Sequence, residues 1–152
     1  MKNLLFWGAL AGSLLLAGCE NGAVSYEIDN DKNHSISLLR EQNIPWVGDV
    51  QQRFVVSRFP VCQRRFTVDP GSAKMKKIEI YEVQPRLYAA HQGDTWYVLT
   101  TEDCRLQKFE QPPPVIPPGR LVGAFQKKDG ELIFKLAEEA AQSAPTASEP
   151  AR

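Results

Sequence analysis

The chain has 152 residues, 43% of them hydrophobic and 9% aromatic, and its 18 lysines and arginines balance its 18 aspartates and glutamates. That length suits one domain with a real core. The even charge leaves no global field to draw the protein to nucleic acid or to an acidic membrane surface.

The first stretch opens on Lys2, runs apolar from Leu4 to Leu16 with breaks only at Gly8, Gly12 and Ser13, and narrows to Ala17 and Gly18 before Cys19. A positive start, an apolar middle and a small-residue cut site make a secretory signal. The run is too short to span about 30 Å of hydrocarbon, which takes roughly 20 residues. Leu16-Ala17-Gly18-Cys19 resembles the lipobox of bacterial lipoproteins at all four positions. The resemblance implies removal of residues 1–18, lipidation of Cys19 and anchoring to a membrane through acyl chains. One chain holds only marginally, at ~0.8 kcal/mol per buried methylene, whereas several hold firmly. By the same resemblance Glu20, which is not the aspartate of inner-membrane retention, points to the periplasmic face of the outer membrane, with the inner membrane the other compartment open. The likeness ends at residue 20 and says nothing of the folded part.

Once residues 1–18 and their single charge, Lys2, are removed, seventeen basic residues stand against eighteen acidic ones, and the exported location also argues against a nucleic-acid partner. With Cys19 lipidated, Cys62 and Cys104 remain. In the oxidising periplasm their default state is a disulfide. The alternative, a redox thiol, has no Cys-x-x-Cys behind it.

Residues 19–23 read as a lipidated tether, and residues 24–136 as the folded domain. Val24 to Asp29 alternates weakly and Asp29 to Asn33 looks like a turn. Ile36 to Glu41 fits either a strand or a short helix, closed by Pro45. Trp46 and Val47 lead to a Gly48-Asp49 turn. Phe54 to Phe59 is aromatic and β-branched, Pro60 interrupts it, and Arg64 to Asp69 continues as strand before the Pro70-Gly71-Ser72 turn. Lys77 to Val83 has strand composition, with Pro85 marking a bulge or an edge. Leu87 to Ala90 and Thr95 to Thr101 flank His91-Gln92-Gly93-Asp94, predicted as a four-residue hairpin loop. Cys104 to Phe109 continues on or beside that strand.

Residues 111–119 hold five prolines. They read as a stiff polyproline II connector, at ~3.1 Å per residue. Pro114-x-x-Pro117 also fits a proline-rich ligand pattern, although a rigid link crossing the surface is the simpler reading. Leu121 to Phe125 and Glu131 to Leu136 bracket Asp129-Gly130 as a last hairpin. Residues 137–152 form either a short helix or a disordered tail, since Ala, Ser, Pro and Thr dominate it.

Candidate chemistry is sparse. The two histidines, His34 and His91, read as exposed loop residues. No Gly-x-Ser-x-Gly is present to pair with either in a hydrolytic triad. His91 with Asp94 is the nearest approach to a metal pair, and a poor one. Glu79 with Glu82, and Glu102 with Asp103, are available for glycosidase-type chemistry, though a charged solvent face explains them more simply. The expectation is therefore no enzyme, no metal and no cofactor.

The most distinctive surface candidate interleaves basic and aromatic residues: Arg53-Phe54, Arg58-Phe59 and Arg64-Arg65-Phe66. With Trp46 as an aromatic anchor, Arg53, Arg58, Arg64 and Arg65 would form a binding patch. The plainer alternative is a strand with core phenylalanines and solvated arginines. The sequence thus predicts a mainly β, compact antiparallel domain, either a small barrel or a sandwich, with a short C-terminal helix as an option. As function it suggests a non-catalytic envelope lipoprotein acting as a binding or assembly accessory to a periplasmic or outer-membrane protein. The alternative is a binder of anionic lipid or cell-wall glycan through the arginine and phenylalanine region.

Overall fold

A computed structural model describes residues 21–44 and 48–138. Ten strands form: β1 (Asn21–Glu27), β2 (His34–Glu41), β3 (Val50–Arg58), β4 (Cys62–Gly71), β5 (Ile78–Gln84), β6 (Leu87–Gln92), β7 (Thr95–Thr100), β8 (Arg105–Phe109), β9 (Arg120–Lys128) and β10 (Glu131–Leu136). They build two antiparallel sheets, a four-stranded one in the order β1-β2-β3-β4 and a six-stranded one in the order β10-β9-β5-β6-β7-β8. The sheets stay separate, so the fold is a sandwich rather than a closed barrel.

Period-two alternation sets which side chains go inside. In β3, Val50, Gln52, Phe54 and Val56 are buried while Gln51, Arg53 and Val55 between them are half-buried. Phe54 lies at the middle of the core, with ring centroids 6.3 Å from Tyr97 and 6.2 Å from Phe125, both on the facing sheet. Ile36, Leu38, Ile78, Ile80, Tyr88, Leu99 and Val122 complete the filling. The ambiguous segment Ile36 to Glu41 is part of strand β2, because Ile36 and Leu38 both face this core at zero exposure.

Each side of the sandwich is closed differently. On one side β1 lies beside β10, where Tyr26 stacks on Phe134 at 4.8 Å. On the other, the edge strands β4 and β8 are joined by the Cys62–Cys104 disulfide, with Cα atoms 5.9 Å apart, and by an ion pair of 2.6 Å between Lys108 and Asp69.

The turns follow their chemistry. Asp129 and Gly130, both at positive φ, form a two-residue loop between β9 and β10, the geometry of a type I′ hairpin. Gly93-Asp94 is likewise a two-residue loop, not four residues long, because the pairing of β6 with β7 runs on through His91↔Trp96 and Gln92↔Thr95. β1 begins at Asn21, three residues before Val24, since Asn21 to Ala23 pair with Glu41 to Leu39. The domain therefore takes in most of the stretch expected to be tether. Cys19, Trp46 and residues 139–152, with the helix or tail expected there, lie outside the described residues.

The disulfide closes a long loop, with a sequence separation of 42. Cys62→Ala with Cys104→Ala should lower the unfolding free energy by up to ~4 kcal/mol, read by urea denaturation of soluble protein. An unchanged midpoint would show that the two sheets hold together without it.

Candidate functional site

The structure does not gather the arginine and phenylalanine region into one patch. Phe54 is core, Phe66 packs against the core from β4, and Phe59 is exposed at the β3–β4 turn. Arg53 is engaged by Glu41 and donates to Gln51 Oε1 at 2.7 Å. Arg58 donates to the carbonyls of Thr101 and Glu102 at 2.8 and 2.6 Å, fastening the β3–β4 turn to the β7–β8 turn. These two arginines are structural ties. Arg64 and Arg65 are exposed on the edge strand β4 and, among the described residues, form no ion pair. Arg65 pairs with Val55 and Arg64 with Val56, so on adjacent positions they leave the strand on opposite faces.

Neither histidine is a free loop residue. His34 opens β2, and its Nε2 lies 2.8 Å from the hydroxyl of the fully buried Thr101. Burial lowers its pKa, and Arg58 adds to that while Asp29 opposes it. His91 lies within β6 and stacks on Trp96, with ring centroids 4.0 Å apart. Its partner is Glu79, with Nδ1 3.5 Å from Oε2, not Asp94. Cross-strand pairing of Glu79 with His91 and of His91 with Trp96 puts the three side chains in a row across the outer face of the six-stranded sheet.

Glu79 is the hub of that row. Its carboxylate accepts from the Tyr81 hydroxyl at 2.9 Å and lies 2.6 Å from Lys77 Nζ. Burial raises the Glu79 pKa, but hydrogen bonds from Lys77 and Tyr81, the Lys77 charge and His91 outweigh it, and the net shift is downward. Tyr81, desolvated and bonded to a carboxylate, is pushed up to about 12. The other proposed acid pairs are split. Glu82 binds Arg120 at 2.5 Å, Glu102 binds Arg86 at 2.6 Å and Asp103 binds Arg105 at 2.5 Å. Among the described residues no group of three or more His, Cys, Asp or Glu could hold a metal ion.

Beside Trp96 lies a strongly apolar depression of the surface. Residues 110–119 leave β8 at one edge of the sheet and return as β9, crossing over β7, β6 and β5. Between this strap and the outer face of the sheet is a groove of about 320 Å³. Ala89, Trp96 and Val98 form its floor, with Phe109, Pro114 and Val115 on the rim. Trp96 is 4% exposed and Ala89 3%, so the strap functions as a cover. Val115 and Ile116, at 67% and 64% exposed, ride on top of it. Sequence reasoning missed the groove, although a signal was present. Leu87, Ala89, Trp96 and Val98 alternate with Tyr88, Ala90, Tyr97 and Leu99, so β6 and β7 are apolar on both faces, which marks a doubly covered sheet.

No protein-family model, curated protein or solved structure matches the chain.

Two measurements check this face. A Cβ at Gly119 would collide with the Glu82 carbonyl oxygen, so Gly119→Ala should lift the end of the strap. In protein lacking residues 1–18 and carrying Trp46→Phe, which leaves Trp96 as its single tryptophan, acrylamide quenching should then rise; unchanged quenching would mean the strap does not cover the ring. The Glu79 carboxyl is a stronger acid folded than its ordinary value of 4.5, so its stabilising contribution is complete above that pH and is lost as the pH falls through the folded value. The stability difference between the native protein and Glu79→Gln should therefore shrink in acid denaturation series below about pH 4.5; a constant difference would sink the assignment.

Proposed function

We propose that the protein is a lipid-anchored, non-catalytic envelope module that binds a periplasmic or outer-membrane protein, and that the groove under the proline strap receives an apolar side chain of that partner. The groove carries the reading. It is concave, lined almost wholly by carbon, and has few polar groups converging on a bound atom as an active site requires. Its size is at the lower end of ligand pockets, ~300 Å³, which suits one or two anchoring side chains better than a whole ligand. The acidic residues that could have done general acid and base work, Glu79 and Glu82 on β5 and Glu102 and Asp103 in the β7–β8 turn, are each tied to a separate cation. Phe109 and Val115 on its rim remain exposed, and exposed apolar surface of this kind marks contact sites.

Anchoring through Cys19 supplies the location, and its support is the lipobox resemblance. Among the described residues no helix is long and apolar enough to cross a membrane.

The test uses soluble Cys19→Ser protein as bait in an envelope extract. Capture of one envelope protein should be lost with Val115→Asp, a substitution at an exposed position that should leave the melting temperature unchanged. Capture undiminished by Val115→Asp would overturn the groove as the contact.

A further inference from the structure

The start of β1 settles how far the folded domain can stand from a lipid on Cys19. One residue, Glu20, separates Cys19 from Asn21. Two extended steps of chain reach about 7 Å at most. Asn21 is already paired with Glu41, and Gly22 with Arg40. A Cβ on Gly22 would touch the Leu132 side chain at 3.2 Å, so both sheets begin within the same short reach.

Four loops share this end. Arg40 Nη2 donates to Ser72 O at 2.6 Å and Lys127 Nζ to Ala73 O at 3.2 Å, placing the β4–β5 loop beside Asn21 and the β9–β10 turn. Gln92 Nε2 donates to Lys76 O at 2.9 Å, adding the β6–β7 turn. Glu41 leads into the β2–β3 loop, where Ile44 is 62% exposed. At the opposite end are the β1–β2, β3–β4, β5–β6 and β7–β8 turns, with Phe59 and Val61 exposed beside the disulfide. The nine residues of β3 separate the two ends by about 30 Å.

We infer that the end bearing Asn21, Ile44, Lys74 and Lys128 rests on the lipid head groups, and that the Phe59 end points away from the membrane. This rests on the lipidation of Cys19 in the reading above. The short link, not charge, imposes the contact. Exposed Lys74, Lys76 and Lys128 share this end with exposed Asp49, Asp94, Asp129 and Glu131, so attraction and repulsion from an anionic surface roughly offset. The strap groove then lies on the flank of the sandwich, open to a partner standing beside the protein on the same membrane.

The experiment uses the full lipidated protein in vesicles of phosphatidylethanolamine and phosphatidylglycerol containing head-group spin-labelled lipid. A dye is attached at Ile44→Cys, Lys128→Cys or Phe59→Cys, singly. Quenching should be severalfold greater at 44 and 128 than at 59. It should persist in high salt and fall when a long Gly-Ser linker is inserted between Glu20 and Asn21. Equal quenching at 44 and 59, or loss of the contrast in salt, would overturn the orientation while leaving the anchor in place. Absence of acyl groups on Cys19 by mass spectrometry would overturn the anchor itself.

Discussion

The sandwich exists because each sheet has one apolar face that only the other can cover. Phe54 of the four-stranded sheet sits between Tyr97 and Phe125 of the six-stranded one, with Ile36, Leu38 and Val56 around it at zero exposure. Each such side chain contributes ~1.5–3 kcal/mol by leaving water, and the set outweighs any single bond in the molecule. Gln52 and Tyr97, caught between the layers, are bonded. Gln52, fully buried, donates to Asp69 O at 2.8 Å and to Gln92 Oε1 at 2.9 Å. Tyr97 accepts at its hydroxyl from the Asp69 amide at 3.1 Å. The disulfide acts on top of this, pinning the one side of the sandwich where the two edge strands would otherwise part.

The six-stranded sheet has a second apolar face, and that face explains the proline strap. A sheet with both sides apolar needs a second cover. A proline-rich segment suits the task because it is already extended and loses little entropy on lying down, and it carries few amides to compete with the ladder beneath. The cover is incomplete, and the groove is what it leaves. The element that shields Trp96 also leaves Val115 and Ile116 exposed.

The chain's carboxylates and cations do a different job. Arg58, Arg86 and Glu102 lock the turns around the disulfide, Arg120 holds Glu82, and Lys77, Tyr81 and His91 converge on Glu79. These partly exposed pairs are individually worth little. Their positions fix turn and strand orientation at both ends of the sandwich, the one where β1 begins and the one with the exposed Phe59 turn.

By itself the sequence determined the strands of the core other than β2, the Asp-Gly turn, the mainly β, antiparallel class and, with Cys19 set aside for lipid, the pairing of Cys62 with Cys104. Those features follow from short-range rules: period-two alternation, turn chemistry and a count of thiols. The arginine and phenylalanine alternation was legible in the same way, and β3 places Phe54 inward and Arg53 outward as such a strand should. Tertiary structure alone decided that Arg53 and Arg58 are consumed by Glu41 and by the Thr101 and Glu102 carbonyls, that His91 meets Glu79 across two strands, and that the strap lies over Trp96. Each depends on contacts between residues 12 to 44 positions apart in the chain. Choosing sandwich over barrel was equally a tertiary matter, because closure depends on whether edge strands bond to one another. Here β1 and β10, like β4 and β8, meet through side chains and a disulfide instead.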